Sequence, residues 1–237
     1  MKIKLSFVSL LIVTCMYLPL QSNAWGVLGH RIVGQIADSY LTKTTRKAIS
    51  GILGNESVAM SSNWADFIKS DTSYKYLSNW HYVNFKQGMT EAQIVQYLET
   101  DTNTDAYTKI NWLKGELKKK DIPQADRQMY LRLLIHFVGD IHQPMHVGRP
   151  DDQGGNRIRV LWFNDSKNLH QVWDEALVAF QELSYTEFAA AINFTTKQQR
   201  NTWQRQPMSS WFWESYQLAE QIYGKNWATN TTLNIKP

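Results

Sequence analysis

The chain has 237 residues, of which 43% are hydrophobic and 19% are charged. These values suit one globular domain with a sizeable core, and they exclude a disordered, collagen-like or low-complexity protein. The formal net charge of +4 excludes the strong basic excess that is typical of proteins gripping duplex DNA by its phosphates.

The first 24 residues differ in character from the rest of the chain. Lys2 and Lys4 are followed by an apolar run over residues 5–20 and by small residues at 22–24. This order is typical of a secretory signal peptide, and the run is short for a membrane span. We therefore predict cleavage after Ala24 and a secreted or periplasmic protein. An uncleaved anchor is the alternative.

The predicted mature domain, residues 25–237, contains no cysteine, because Cys15 is the only one in the sequence. It can form no disulfide, so its stability must come from its core or from bound metal. Loss of Lys2 and Lys4 lowers the number of basic residues from 25 to 23, against 21 acidic ones, which leaves a net charge of +2. Any nucleic-acid chemistry must then come from a local site.

The mature chain is predicted to be mostly helical. Two of its helix starts carry capping-box residues, Thr90 with Gln93 and Ser184 with Glu187. Apolar residues recur at three- to four-residue spacing in seven segments: 29–40, 90–100, 107–119, 127–141, 172–182, 186–193 and 209–223.

Prolines and a β-branched stretch complete the predicted outline. Pro123 suits the first turn of a helix, and Pro144 must end the central one. Residues 157–163 alternate as a strand does, and a polar turn is expected at 164–167. A polar, Gly-rich loop covers 148–156. We predict one all-α domain with a small β or irregular insertion.

Two histidine–aspartate pairs stand out in this outline. His136 and Asp140 are four residues apart on the central predicted helix, so they point to the same side, and His170 and Asp174 repeat the arrangement. One such pair is more often a surface hydrogen bond. Two pairs in one chain, with further histidines nearby, favour a metal site of the nitrogen and oxygen type that zinc accepts.

Two more histidines follow the central helix. His146 comes after Pro144, where the chain can turn back toward the site. His142 lies two residues beyond Asp140, which is about 200° around a continuing helix. We therefore predict that His142 faces away from the metal site and is a buried or supporting hydrogen-bonding residue.

His30, Asp66 and His81 gain meaning only from the motifs around them. Taken alone, Asp66 would be interpreted as a helix cap or a surface charge, and His30 calls for the same caution. Together, the motifs resemble the zinc-dependent single-strand-specific nuclease family of the mung bean nuclease type, which is related in fold to zinc phospholipase C. The motifs are Trp25…His30, Trp64-Ala-Asp66, Trp80-His81, His136-Phe-Val-Gly-Asp140-Ile-His-Gln-Pro-Met-His146, Gly154-Gly155-Asn156 and His170-Gln-Val-Trp-Asp174.

The resemblance implies three zinc ions. Ligands of the first would be Asp66, His81, His136 and Asp140. Ligands of the second would be His146, His170 and Asp174. Ligands of the third would be the α-amino group and carbonyl of Trp25, His30, and the other oxygen of Asp140. Three dications more than balance three aspartates, so such a site attracts an anionic phosphodiester.

The resemblance also implies catalytic and substrate-binding roles. Asp66 would be catalytic as well as a ligand, and Lys69 with the Asn156 amide would stabilise charge that develops on the phosphate. Tyr82 would stack on an unpaired base, and Asn84 would hydrogen-bond its edge. Several relatives have an acidic residue in place of Asn84, so no base preference is inferred. Lys69 as a solvated lysine and Tyr82 as a core residue are the alternatives.

The function that the resemblance implies is an exported endonuclease acting on single-stranded DNA and RNA, with 5′-phosphate products and 3′-nucleotidase activity. No obligate protein partner and no membrane span are implied. A zinc-dependent phospholipase C is the alternative on the same scaffold, although those enzymes typically have Glu where this chain has Asp174. A non-catalytic zinc-stabilised binding protein would not need nine ligands and an open position.

Overall fold

The computed structural model describes residues 26–224 and 234–235, and within these ranges the fold is mainly α-helical, as predicted. The predicted signal peptide and Trp25 lie outside the described residues. The helices are α1 (Val27–Ser39), α2 (Lys43–Leu53), α3 (Val58–Ser61), α4 (Trp64–Ile68), α5 (Glu91–Thr100), α6 (Ala106–Glu116), α7 (Gln124–Asp140), α8 (Leu169–Gln171), α9 (Leu177–Ala179), α10 (Tyr185–Ile192), α11 (Lys197–Arg205) and α12 (Met208–Tyr223). Two 3-10 helices are η1 (Thr72–His81) and η2 (Pro144–Val147), and a π-helical segment (Val172–Ala176) joins α8 to α9.

The β insertion is a small sheet with the strand order β2-β1-β3. Strand β1 (Arg159–Trp162) pairs antiparallel with β2 (Asp165–Asn168) and parallel with β3 (Asn234–Ile235). The predicted strand is confirmed, but the predicted polar turn is wrong beyond Asn164, because the chain re-enters the sheet at Asp165. The polar residues of β2 mislead because this strand lies at the sheet edge, where its side chains meet water.

The predicted helix starts are confirmed in detail. Thr90 and Ser184 each accept from the backbone N–H three residues on, and Gln93 and Glu187 return the bond to the cap residue, which completes two capping boxes. Pro123 is the cap residue directly before α7. These side chains satisfy backbone donors that a helix leaves unpaired at its start.

The apolar spacing of the sequence does not predict several helical segments, among them α2, α3, α4, η1 and α11. In α2 only Leu53 is buried, and α11 buries no residue, so neither helix packs an extended apolar face against the core. Helices α3 and α4 have four and five residues, too few for a 3.6-residue period to appear. In η1 the period is three rather than 3.6.

Helix α7 lies at the centre of the packing. It contacts α1, α2, α3, α4, α6 and η1. Its Leu133 and Phe137 are buried in one continuous core with Leu113 of α6 and Phe212 of α12. Because the elements around α7 come from distant parts of the sequence, polar side chains at its C-terminal end can meet partners from most of them. No helix in the described ranges is long and apolar enough to cross a membrane.

Candidate metal centre

The last turn of α7 carries a buried polar cluster. Eight of the nine residues predicted as ligands lie in the described part of the chain, and all eight are buried. They come from α1, α4, η1, α7, η2, α8 and the π-helical segment. They are His30, Asp66, His81, His136, Asp140, His146, His170 and Asp174.

Asp140 lies at the middle of this cluster. Its Oδ2 is 2.8 Å from His81 Nδ1 and 3.2 Å from His136 Nε2. Its Oδ1 is 3.3 Å from His30 Nε2 and 3.5 Å from His146 Nδ1. Burial alone would raise the pKa of Asp140, but the neighbouring imidazoles, His136 foremost, hold it well below its usual range. Asp140 is therefore a carboxylate whose two oxygens face different groups of histidines.

A first group of donors surrounds His136. Its Nε2 is 3.1 Å from His81 Nδ1 and 3.8 Å from Asp66 Oδ1. His30 stacks on its ring with centroids 3.9 Å apart, and His30 Nε2 is 3.9 Å from Asp66 Oδ2. His81, His136 and Asp140 offer ligand atoms within 4.8 Å of one another, and so do His30, Asp66 and His136.

A second group consists of His146, His170 and Asp174, whose ligand atoms also lie within 4.8 Å of one another. Asp174 Oδ2 is 3.0 Å from His170 Nε2, and its Oδ1 is 3.7 Å from His146 Nε2. His170 and Asp174 therefore point to the same side, as predicted, although Asp174 lies in the π-helical segment. Such segments are frequent at functional sites.

Backbone carbonyls orient three of the imidazoles. The Nδ1 atoms of His136, His146 and His170 lie 2.6, 2.8 and 2.7 Å from the carbonyl oxygens of Ser62, His81 and Gly154. Because a carbonyl can only accept, Nδ1 carries the proton and Nε2 presents its lone pair to the cluster. This is the arrangement that metal-ligating histidines usually have.

Several buried polar atoms of the cluster have no hydrogen bond among the described residues, which suits a bound cation. The described residues leave His30 Nε2, Asp66 Oδ2, His81 Nε2, Asp140 Oδ1 and Asp174 Oδ2 buried with no hydrogen bond. Native proteins rarely leave buried polar atoms unsatisfied, so five in one place require an explanation. Imidazole nitrogens and carboxylate oxygens together are a donor set that zinc accepts.

The protonation states of several imidazoles suit metal binding. Burial, helped by Lys69, lowers the pKa of His81 to about 3. Burial also lowers the pKa values of His30 and His146. For His170, burial acts in the same direction, but Asp174 raises its pKa above the usual value. Neutral imidazole is the form that binds metal.

Two residues near the cluster have predicted catalytic roles. Lys69 Nζ lies 2.5 Å from Asp66 Oδ1, and its side chain is 22% exposed, so it spans the cluster and the solvent. The solvated-lysine alternative is therefore wrong. Asn156 is half-buried in the Gly-rich loop, where its amide donates to the Gln153 carbonyl at 2.9 Å. Its Oδ1 accepts from Asn168 at 3.4 Å.

The predicted base-binding residues follow the cluster directly. Tyr82 is 38% exposed, so the core alternative is wrong. Its hydroxyl donates to Asn79 Oδ1 at 3.2 Å. Asn84 is half-buried. Both lie beside His81 in the chain, at the border between the buried cluster and the surface.

His142 faces away from the cluster, as predicted, but it is exposed rather than buried. Its Nδ1 lies 2.7 Å from the Val138 carbonyl, and its ring is 5.7 Å from that of Trp211. The helix ends before His142, whose side chain reaches the surface between two buried residues, Ile141 and Gln143. The direction of the His142 side chain therefore agrees with the prediction from the helical angle, whereas its exposure does not agree with the predicted burial.

Gln143 and Gly154 support the cluster and were not predicted. Buried Gln143 donates to Asp174 Oδ1 and accepts from the Met145 N–H, which ties the chain before His146 to a ligand residue. Gly154 has φ of +61°, and a Cβ there would lie 2.3 Å from the Met145 carbonyl oxygen. The sequence indicates a role for Gln143 and Gly154 only through their positions inside the motifs that carry the family resemblance.

Comparisons with known proteins agree with this geometry. The S1/P1 Nuclease family model matches residues 25–236. Endonuclease 3 of Arabidopsis thaliana is 29% identical over 202 residues, which cover 82% of this chain and 68% of that protein. Endonuclease 4 of Arabidopsis thaliana is 32% identical over 166 residues, 65% of this chain and 55% of that protein. Nuclease S1 of Aspergillus oryzae is 29% identical over 155 residues, 63% of this chain and 53% of that protein.

The chain thus spans between about half and two thirds of the length of these relatives. The family model covers almost all of the predicted mature domain, including the cluster at the end of α7. The predicted resemblance is confirmed: this chain belongs to the S1/P1 nuclease family, whose members are enzymes that hydrolyse phosphodiester bonds.

Proposed function

We propose that this protein is an exported zinc-dependent endonuclease that hydrolyses single-stranded DNA and RNA to 5′-phosphate products, and that it also acts on 3′-nucleotides. The observation that carries this proposal is the convergence of eight buried histidine and aspartate side chains at the end of α7 in a chain of this family. Cleavage of the signal peptide, residues 1–24, would export the domain of residues 25–237.

The distances suggest how three zinc ions would be shared. Asp66, His81, His136 and Asp140 would hold the first ion, and His146, His170 and Asp174 the second. The free oxygen of Asp140 would join the first group to His30, whose Nε2 is 3.3 Å away. This sharing explains why one carboxylate faces histidines on several elements.

The third ion would also take the processed N-terminus. The Gly26 N–H donates to the Asp174 carbonyl at 2.7 Å, and His30 follows one helical turn later. The residue before Gly26 is Trp25, which becomes the first residue after the predicted cleavage. Its α-amino group and carbonyl would then belong to the same centre as His30 and Asp140.

The chain supplies polar groups around the phosphate. Bound zinc provides positive charge and acidifies water near neutral pH. Asp66 would hold Lys69 by their 2.5 Å contact while the ammonium faces a non-bridging phosphate oxygen. The Asn156 amide would donate to another. Donors already in place at a position where negative charge develops lower the barrier to the reaction.

A preference for single strands follows from the exposed ring beside the centre. Tyr82 can stack on a base only when that base is free of its neighbours in a duplex. Asn84, two residues on, would hydrogen-bond the base edge. A strand with unpaired bases meets both requirements, whereas duplex DNA offers only its backbone.

The proposal is tested by substrate class. Purified protein beginning at Trp25 should cut single-stranded DNA and RNA much faster than duplex DNA, should leave 5′-phosphates, and should lose activity when a chelator removes metal. Phosphatidylcholine is the competing substrate, since a phospholipase C would use the same scaffold. Hydrolysis of the lipid alone would overturn the proposal.

A further inference from the structure

One face of η1 carries a row of exposed side chains that leads away from the metal centre. Side chains three residues apart in a 3-10 helix lie one above the other, which aligns Tyr76 with Asn79. Tyr82 continues the row, because its hydroxyl donates to Asn79 at 3.2 Å. Tyr76 is 52% exposed. His81 directly precedes Tyr82, so the row begins at the centre.

Helix α6 widens this row into a surface. Trp80 makes edge contacts with Tyr76 at 5.5 Å and with Trp112 at 5.8 Å, and Trp112 is 38% exposed. The Lys109 ammonium lies 4.7 Å from the Trp80 ring centroid and 5.6 Å from that of Trp112. Lys75 is exposed beside Tyr76. The exposed aromatic rings of this surface therefore lie next to positively charged side chains.

Among the described residues, the two lysines of this surface are not neutralised by carboxylates, although the Lys109 ammonium also contacts the Trp80 and Trp112 rings. Within the described part of the chain, no carboxylate forms an ion pair with Lys75 or Lys109. A protein–protein contact would need a larger apolar area, and a lipid surface would need an apolar rather than a mixed face. Exposed rings beside cations that form no ion pair suit a single-stranded nucleic acid, because every base has a π-face and every phosphate is negative.

The length of the row sets the size of the ligand. Tyr82 lies six positions after Tyr76 and directly follows the end of η1. A 3-10 helix rises about 2.0 Å per residue, so the row extends roughly 12 Å. A stacked strand advances about 3.4 Å per nucleotide, so this distance corresponds to roughly three or four nucleotides. A dinucleotide held at Tyr82 cannot reach Tyr76, whereas a longer strand can.

We infer that Tyr76, Trp112, Lys75 and Lys109 form an extended subsite that binds nucleotides a few positions from the cleaved bond. The inference rests on the proposed nuclease function and adds the path of the strand beyond Tyr82. Bases stack on Tyr76 and Trp112, and the two ammonium groups contact phosphates. The subsite acts in binding rather than in chemistry, so it affects long substrates and spares short ones.

The test compares a dinucleotide with a single-stranded dodecamer, using protein beginning at Trp25 with its metals bound. Tyr76→Ala should raise KM for the dodecamer at least about fivefold, the lower end of what one base stack contributes. Its kcat and its action on the dinucleotide should stay as in the wild type. Tyr76→Phe keeps the ring and should keep KM. Trp203→Ala, which removes a 45% exposed ring from α11, is the matched control and should change neither substrate.

Fluorescence anisotropy measures the binding of a non-cleavable phosphorothioate dodecamer. This measurement tests the subsite independently of turnover. Tyr76→Ala should raise Kd by the same factor. Unchanged binding, or an equal loss on dinucleotide and dodecamer, would overturn the subsite and leave the nuclease proposal standing. A wild type that binds the dodecamer tightly through Tyr76 but cleaves neither substrate would refute the nuclease proposal alone.

Discussion

Asp140 lies at the middle of the candidate metal centre, and each of its oxygens faces a different set of imidazoles. The histidines themselves are not equivalent. His136 is fully buried and faces the centre, whereas His142 is exposed and its Nδ1 contacts the Val138 carbonyl of its own helix end. Residue type alone therefore does not determine whether a histidine binds metal.

Substitution of His136 and substitution of His142 should have different effects on zinc content and activity. His136→Ala should abolish activity and lower the zinc content, because a ligand nitrogen is lost. His142→Ala should retain zinc and most activity, because its ring points away from Asp140. Zinc analysis and turnover on single-stranded DNA are measured for both proteins. Equal zinc loss in the two variants would show that the direction of the ring does not decide ligand status.

Lys69 should affect turnover without affecting metal. We expect Lys69→Gln to lower kcat by about 10²–10³, the usual effect of losing one donor to a developing negative charge. Lys119 makes the same type of contact three residues from Glu116, but on the open surface, so Lys119→Gln is the matched control. Normal turnover in Lys69→Gln would remove Lys69 from the reaction.

At the scale of elements, the site is assembled by short, irregular segments around one long helix. The π-helical segment places Asp174, η2 places His146, and α6 supports the chain next to Tyr82, whose carbonyl accepts from the Ala106 N–H at 3.2 Å. The start of α6 has an unusual cap, Asp105, which is buried close to Asp101.

Asp105 should make the stability of α6 depend on pH. Burial, together with a hydrogen bond to Asp101, raises the pKa of Asp105 to about 7. The folded state therefore binds this proton more tightly than the unfolded state, whose Asp pKa is about 3.9. The stabilisation is complete below that unfolded value and is lost as the pH rises through about 7.

Asp105→Asn isolates this effect, because Asn can still accept from the Thr108 N–H and keep the cap. The Tm of the wild type minus that of the variant should rise as the pH falls from 8 to 5. Thermal melts at several pH values measure it. A difference that does not change with pH would mean that Asp105 titrates normally.

Sequence patterns predicted the long elements better than the short ones. Helix α7 shows its apolar period and carries two ligands at a four-residue spacing, so both the helix and the facing of His136 and Asp140 follow from the sequence. Asp66 is different. Its helix, α4, has five residues, and its approach to His136 depends on tertiary packing. Only the family resemblance could place it.

Across the molecule as a whole, the nearly neutral charge and the candidate metal centre would have separate roles. The net charge of +2 for the predicted mature chain would give little general attraction to nucleic acid. The proposed ions would supply a local attraction instead. The predicted mature chain contains no cysteine and can form no disulfide, so bound metal would also stabilise the fold.

Processing of the N-terminus should complete the centre. An α-amino group has a pKa near 8 and loses its proton easily to zinc, whereas a peptide nitrogen is a poor donor. Protein with one extra Gly before Trp25 should therefore contain about one zinc fewer per chain and turn over more slowly than protein beginning at Trp25. Equal zinc and equal turnover would exclude the N-terminus from the site.

Zinc stoichiometry is the most direct test of a three-metal centre bridged by Asp140. Native mass spectrometry of the protein that begins at Trp25 should show about three zinc ions per chain, and Asp140→Asn should lose at least two of them, because its carboxylate is shared. One zinc or none in the wild type, or an unchanged count in Asp140→Asn, would contradict the bridged centre.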